Sequence, residues 1–278
     1  MEQKKLERII LLILLLLNGF LLVIVLGEDA ARRREEHETR QLLTELLAEN
    51  GVEVGPEAEL LQTAPPPCVV ARSFEDEEQR IQGILGDHSS EDLGGSIRFY
   101  RSERGQASLR GTGECDLLLT GDWMESSRSR EKIAASLFAR GGVELDEAGW
   151  REEERNNAIN LCCCWNGYPV YDAVLRFDFT PGRLDMVSGT LVFSELLSEG
   201  AEMPMDSATA LTRFVSLAKS EGIICSRLER LSPGYLMSVA LSGESNLTPV
   251  WRIETDTVNV YLNALTGEQE SPEGSLEK

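Results

Sequence analysis

Hydrophobic and polar positions along this chain fall into three rhythms. From Ile9 to Leu26 the run IILLILLLLNGFLLVIVL is apolar but for Asn18 and Gly19. A helix of that length covers about 27 Å, close to the hydrocarbon thickness of a bilayer. From Glu28 to Glu49 the apolar positions thin to Leu42, Leu43, Leu46 and Leu47. Opposite charges stand four apart at Arg32/Glu36 and Arg34/Glu38, so this stretch predicts a charged helix that stops at Asn50-Gly51. Thr63-Ala-Pro-Pro-Pro-Cys68 is a stiff connector, because consecutive prolines fix φ and donate no backbone N–H. Short alternating runs follow, punctuated by glycine and proline.

These runs predict a sequence of elements. Phe74–Leu85 reads as a helix ending at Gly86, and Ile97–Tyr100 and Ala107–Arg110 as two strands around Glu103-Arg104-Gly105. Asp116–Leu119 extends the sheet, and Ser126–Ala139 is an amphipathic helix with Ile133, Leu137 and Phe138 on its apolar stripe. Ala158–Trp165 and Val170–Phe179 read as strands around the turn Asn166-Gly167, and Asp185–Phe193 returns after Pro181-Gly182. Asp206 can cap a helix over Ser207–Ser220, whose Leu211, Phe214, Val215 and Ala218 share a face. Strands are then expected at Ile223–Leu228, Tyr235–Leu241, Val250–Glu254 and Val258–Leu262, with Ser232-Pro233-Gly234 as a turn. Helices and strands segregate rather than alternate. The expected fold class is α+β: a single N-terminal transmembrane helix, then extracytoplasmic antiparallel sheet units with helices packed on one face.

This pattern divides the chain into a cytoplasmic tail (1–8), a transmembrane helix (9–26), a juxtamembrane helix (27–50), a first α+β region (51–148) and a second (149–278). A cleavable signal peptide is the rival reading of the apolar run, but such peptides have shorter apolar cores and end at a small-x-small site. Lys4, Lys5 and Arg8 before the run nearly balance Arg32, Arg33 and Arg34 after it. The short basic tail abutting the run favours a cytoplasmic N-terminus and an extracytoplasmic C-terminal part at the cell membrane. Asn18-Gly19 interrupts the run. An amide in hydrocarbon needs a hydrogen-bond partner and a glycine lets another helix approach, so Asn18 and Gly19 are candidates for helix–helix association. The alternative is one tolerated amide without a role.

The net charge of −20 gives nucleic acid nothing basic to bind through. Six cysteines, among them Cys162-Cys163-Cys164, follow no disulfide framework, and with no C-x-x-C and only His37 and His88 there is no zinc ligand set. In a strand, Cys162 and Cys164 would share one face and Cys163 the other, as small apolar fillers. Ser129-Arg-Glu-Lys132 matches S-x-x-K but lacks its companion motifs. Glu152, Glu153 and Glu154 read as a solvated helix or loop. No catalytic residue, cofactor or metal is expected. Trp165, Tyr168 and Tyr171 flank one hairpin, while Trp251 and Tyr261 sit on the last two strands. They are candidates for an interaction surface, with packing as the alternative and a peptide groove at a sheet edge as a further option.

Asn166-Gly-Tyr-Pro-Val-Tyr-Asp172, with the strand, turn and returning strand after it, resembles the central hairpin of the YycH/YycI family. Pro249-Val-Trp-Arg-Ile-Glu254 and Val258-Asn-Val-Tyr-Leu-Asn-Ala-Leu-Thr-Gly-Glu268 resemble the closing strands of that family and of PepSY-type domains. Leu16-Leu17-Asn18-Gly19-Phe20-Leu21-Leu22 resembles the family's anchor. The resemblance covers the anchor and residues 156–268 and thins over 51–150; the cysteine triplet and heavy acidity are not family features. It implies a membrane-anchored, non-enzymatic regulator of a two-component sensor histidine kinase, of the kind found beside the WalK/WalR system in Gram-positive bacteria. The implied partners are the kinase and a second anchored regulator of the same type. The alternative is a PepSY-like extracytoplasmic binding or inhibitory module for a protease or a cell-wall ligand.

Overall fold

The computed structural model describes residues 14, 17, 18, 34–120, 129–147, 151–153, 157–180, 183–240 and 243–272. The tail of residues 1–8, nearly all of the apolar run with Gly19, residues 27–33, the predicted helix start at 126–128 and the Pro181-Gly182 turn lie outside the described residues. Among the described residues no helix is long and apolar enough to cross a membrane.

Among the described residues the architecture is mixed α+β, with four helices after residue 33 and one large sheet. A helix over residues 34–49 (α1) leads to β1 (Glu53–Val54), β2 (Cys68–Ala71) and α2 (Phe74–Leu85). Four strands follow, β3 (His88–Gly94), β4 (Ile97–Ser102), β5 (Gly105–Leu109) and β6 (Glu114–Leu119), then α3 (Arg130–Arg140). Next come β7 (Arg151–Glu153), β8 (Ala158–Trp165), β9 (Tyr168–Thr180), β10 (Arg183–Thr190), β11 (Glu195–Glu199) and α4 (Ser207–Glu221). The chain closes with β12 (Arg227–Val239), β13 (Glu244–Thr255), β14 (Asn259–Asn263) and β15 (Gln269–Glu270). The main path through the sheet is β11-β2-β13-β12-β9-β10-β6-β5-β4-β3. Described pairs are antiparallel except β1 with β12 and β9 with β12.

Local chemistry accounts for several elements. Ser73 Oγ accepts the Asp76 N–H at 3.3 Å and starts α2, and Asp206 Oδ1 accepts the Thr209 N–H at 2.8 Å and starts α4. Gly222, at φ 69°, ends α4 in the left-handed conformation that suits glycine. Asn166 and Gly167, at φ 50° and 80°, make the two-residue turn between β8 and β9.

Three expectations are corrected. Ser232-Pro233-Gly234 is not a turn: it lies inside β12, which runs unbroken from Arg227 to Val239 in register with β13. Glycine is there because β9 crosses closely: a Cβ on Gly234 would stand 2.5 Å from the Pro169 carbonyl oxygen. The Glu152–Glu153 stretch belongs to a short strand, β7, paired with β8. Strands also form where the pattern predicted none, among them the polar β3 and the short β11, because each is held by a neighbour's ladder rather than by its own apolar alternation.

Side chains bury in two main cores. One gathers Ile81, Ile84 and Leu85 of α2 and Ile133, Leu137 and Phe138 of α3 against β4–β6 and β8–β10, with Phe138 edge-on to Phe177 at 5.3 Å. The other places Leu43 and Leu47 of α1 and Leu211 and Phe214 of α4 against Leu228, Trp251 and Leu262. A buried ionic cluster ties α2 to the sheet. Arg72 grips Glu77 through Nε (2.6 Å) and Nη2 (2.9 Å), and the Tyr100 hydroxyl donates to Glu77 Oε1 at 2.6 Å. Burial raises the Tyr100 phenol well above its ordinary pKa, so it stays a donor.

Three substitutions test this packing. Gly83 of α2 faces the Arg140 carbonyl oxygen of α3 so closely that no Cβ fits. Gly→Ala in an ordinary helix gains up to about 1 kcal/mol. Here Gly83→Ala is expected to lose about 1–3 kcal/mol in chemical denaturation, because the two helices must move apart. Glu77→Ala leaves Arg72 buried without its counter-ion and is expected to cost about 3–5 kcal/mol by the same measurement, against about 1 kcal/mol for Tyr100→Phe.

Candidate binding groove

The residues resembling a family hairpin build the joint between the two cores. Val170 of β9 pairs with Tyr235 of β12, and both carboxylate oxygens of Asp172 accept the Met237 N–H, at 2.9 and 3.0 Å. The Tyr171 hydroxyl lies 3.2 Å from the Ser232 carbonyl and 3.3 Å from that of Pro233, and Tyr235 donates to the Pro66 carbonyl at 2.9 Å. Burial pushes the Tyr171 phenol well above its ordinary pKa. The closing Asn-Ala-Leu-Thr-Gly-Glu segment is likewise structural. Asn263 Oδ1 accepts the N–H groups of Leu265 (2.9 Å) and Thr266 (3.1 Å), shaping the turn between β14 and β15.

The five aromatic candidates therefore do not form one surface. Trp251 is fully buried in the second core, its Nε1 donating to the Met205 carbonyl at 3.0 Å. Tyr171 is buried and meets the partly buried Tyr261 at 5.4 Å, while Arg252 stacks over its ring at 5.3 Å. Trp165 and Tyr168 are partly buried against the first core. Asn18 donates its amide to the Leu14 carbonyl one turn back at 2.9 Å.

An open groove of about 890 Å³ lies elsewhere. Its walls come from the start of α2, the ends of the β4–β5 and β12–β13 ladders, and β11. Three apolar side chains stand exposed on it, Phe74 at 50%, Leu197 at 46% and Val239 at 40%. The Phe74 ring sits within 4.9 Å of the Arg72 guanidinium carbon and 4.4 Å of that of Arg98, which fixes its position. Arg72 is neutralised by Glu77, and Arg110, also on the wall, by Asp116 at 3.0 Å. The groove thus presents apolar surface over internally compensated charge.

β11 forms one rim of the groove. All five of its residues are exposed, and among the described residues it pairs on one side only, with β2. A bulge between Leu196 and Ser198 bends it. Bulges are a common device for keeping an open edge from unselective pairing. The Leu196-Leu197 pair was the available sequence signal for this strand. The exposure of its side chains has none.

Thiol chemistry adds little to the site. Among the described residues no disulfide joins any of the six cysteines, and no group of histidine, cysteine and acidic side chains could hold a metal. Cys163 points inward and Cys162 and Cys164 are half-buried, as alternation predicts. Burial pushes the Cys163 thiol up to about 12, so it packs as a neutral group.

No protein-family model matches the chain, and no curated protein matches it. Among solved structures it is similar to an uncharacterised protein from Eubacterium rectale ATCC 33656, at 10% identity over 79% of this chain and 89% of that one, with a TM-score of 0.45. It is also similar to the Bacillus megaterium YpeB C-terminal domain, at 11% identity over 73% of this chain and 97% of that domain, with a TM-score of 0.38.

Proposed function

We propose that this chain is a non-enzymatic binding module that takes an extended segment of a protein partner along the open edge of β11, with apolar side chains of that segment entering the adjoining groove. The observation that carries this reading is the combination of a one-sided edge strand with Phe74, Leu197 and Val239 exposed beside it. An added strand would draw affinity from main-chain hydrogen bonds and selectivity from the groove. The YycH/YycI resemblance supplies the partner class: a two-component sensor histidine kinase, together with a second anchored regulator. In this reading residues 9–26 cross the membrane, the β-rich part is extracytoplasmic, and Asn18 and Gly19 meet the kinase's own helix.

The same groove would serve a PepSY-like module restraining a secreted protease or holding a cell-wall ligand, with the apolar run only a tether. Substitutions in the two regions separate these readings. Leu197→Lys and Val239→Lys place charges in the groove at exposed positions and are expected to weaken co-purification of the full-length chain with the kinase about tenfold, with little change in thermal stability. Retained co-purification with both variants would remove the groove from the mechanism. Asn18→Leu is expected to weaken the same co-purification if the anchor takes part; unchanged capture assigns the anchor to tethering.

A further inference from the structure

A second cavity, of about 360 Å³, opens between the end of α3 and the end of β8. That volume is at the low end for sites that bind small molecules. Arg80 of α2, Cys163, Trp165, Asn166 and Ser194 line it, and Glu144, which is exposed, joins the same wall.

Arg80 differs from most of the partly buried arginines. Arg72, Arg98, Arg110, Arg176 and Arg252 each hold a carboxylate within 3.1 Å. Arg80 makes one hydrogen bond, from Nη1 to the Val192 carbonyl at 2.8 Å, and no ion pair among the described residues. This is in a chain with 47 acidic against 27 basic residues, where carboxylates are plentiful. Of the two acidic residues one turn back, Asp76 acts on Arg80 at a distance without an ion pair among the described residues, and Glu77 is committed to Arg72 and Tyr100. A guanidinium has five N–H donors in a fork that matches a carboxylate, so most of this fork is without an acceptor. Burial lowers the Arg80 pKa, as expected for a charge withdrawn from water without full compensation. The rest of the wall is also short of acceptors. Trp165 Nε1 is buried with no hydrogen-bond partner among the described residues, the half-buried Ser194 hydroxyl has none there either, and the Asn166 amide stands exposed at the rim.

We propose that this cavity is a carboxylate-binding site for an amino-acid unit, with the ligand carboxylate on the Arg80 guanidinium beside Ser194 and Asn166. The unit comes either as a free amino acid, whose ammonium group would face Glu144, or as the C-terminus of a peptide. The site is separate from the β11 groove and does not depend on that reading.

Calorimetric titration of the full-length chain with alanine, N-acetylalanine, N-acetylalanine amide and inorganic phosphate tests it. At least one of the two carboxylates should bind about tenfold tighter than the amide. Alanine tighter than N-acetylalanine assigns the free amino acid; the reverse assigns the peptide terminus. Arg80→Gln should lose about tenfold or more, and Ser194→Ala, which spares the Val192 contact, about threefold. Circular dichroism melting confirms that each variant is folded. Equal binding of acid and amide, phosphate binding without carboxylate binding, no binding of any probe, or carboxylate affinity unchanged in both variants would overturn the proposal.

Discussion

Backbone contact between β9 and β12 at Gly234 holds the two cores of this protein in one sheet. Tyr168 to Asp172 passes over the middle of β12 so closely that Pro169 and Tyr171 occupy the space of a Gly234 side chain. The approach lets the Asp172 carboxylate reach the Met237 N–H and the Tyr171 hydroxyl reach the carbonyls of Ser232 and Pro233. Charge-assisted and buried hydrogen bonds of this kind are costly to leave half-made, so the crossing is specified by its polar groups as well as by shape. β12 then carries the register onward to β13, and β13 to β2 and β11.

The groove follows from that chain of pairings. β2 and β11 lie at the far side of β13, and the Arg72–Glu77 pair just beyond β2 anchors α2 beside them. The pair lies almost wholly out of water, with side-chain exposures of 9% and 7%. Desolvation limits what such a pair adds to net stability, but a single competent geometry is what a buried ionic contact can enforce. Its effect is positional: it sets the N-terminal turn of α2, and with it Phe74, against the sheet edge. The apolar rim is therefore displayed by a polar interior.

Much of the local structure was legible in the sequence. Phe74–Leu85 and the start at Ser207 were readable from caps, glycine stops and helical spacing, and Asn166-Gly167 from its turn chemistry. The misread segment, Ser232-Pro233-Gly234, shows where such reasoning stops. Proline and glycine in tandem are turn residues by every local rule, yet here glycine answers to a strand more than sixty residues earlier in the chain. β3 and β11 were missed for a related reason: neither carries an apolar alternation of its own, and each is a strand because a neighbour offers a ladder. The aromatic candidates lie near one another in sequence or on the last strands, and the fold sends them to different packing environments.

By itself the sequence determined where helices begin and end, which hairpins turn tightly, and that an apolar run long enough for a membrane stands near the N-terminus. These are short-range matters, decided within a few residues by capping, φ preference and periodicity. Only the tertiary structure decided which polar groups are buried and which apolar groups are left out. Glu77 is enclosed while Phe74, on the same helix, is half exposed, and Arg80, unlike Arg72, has no carboxylate in an ion pair with it among the described residues. Burial and charge compensation are properties of contacts between residues far apart in the chain, and no local pattern encodes them.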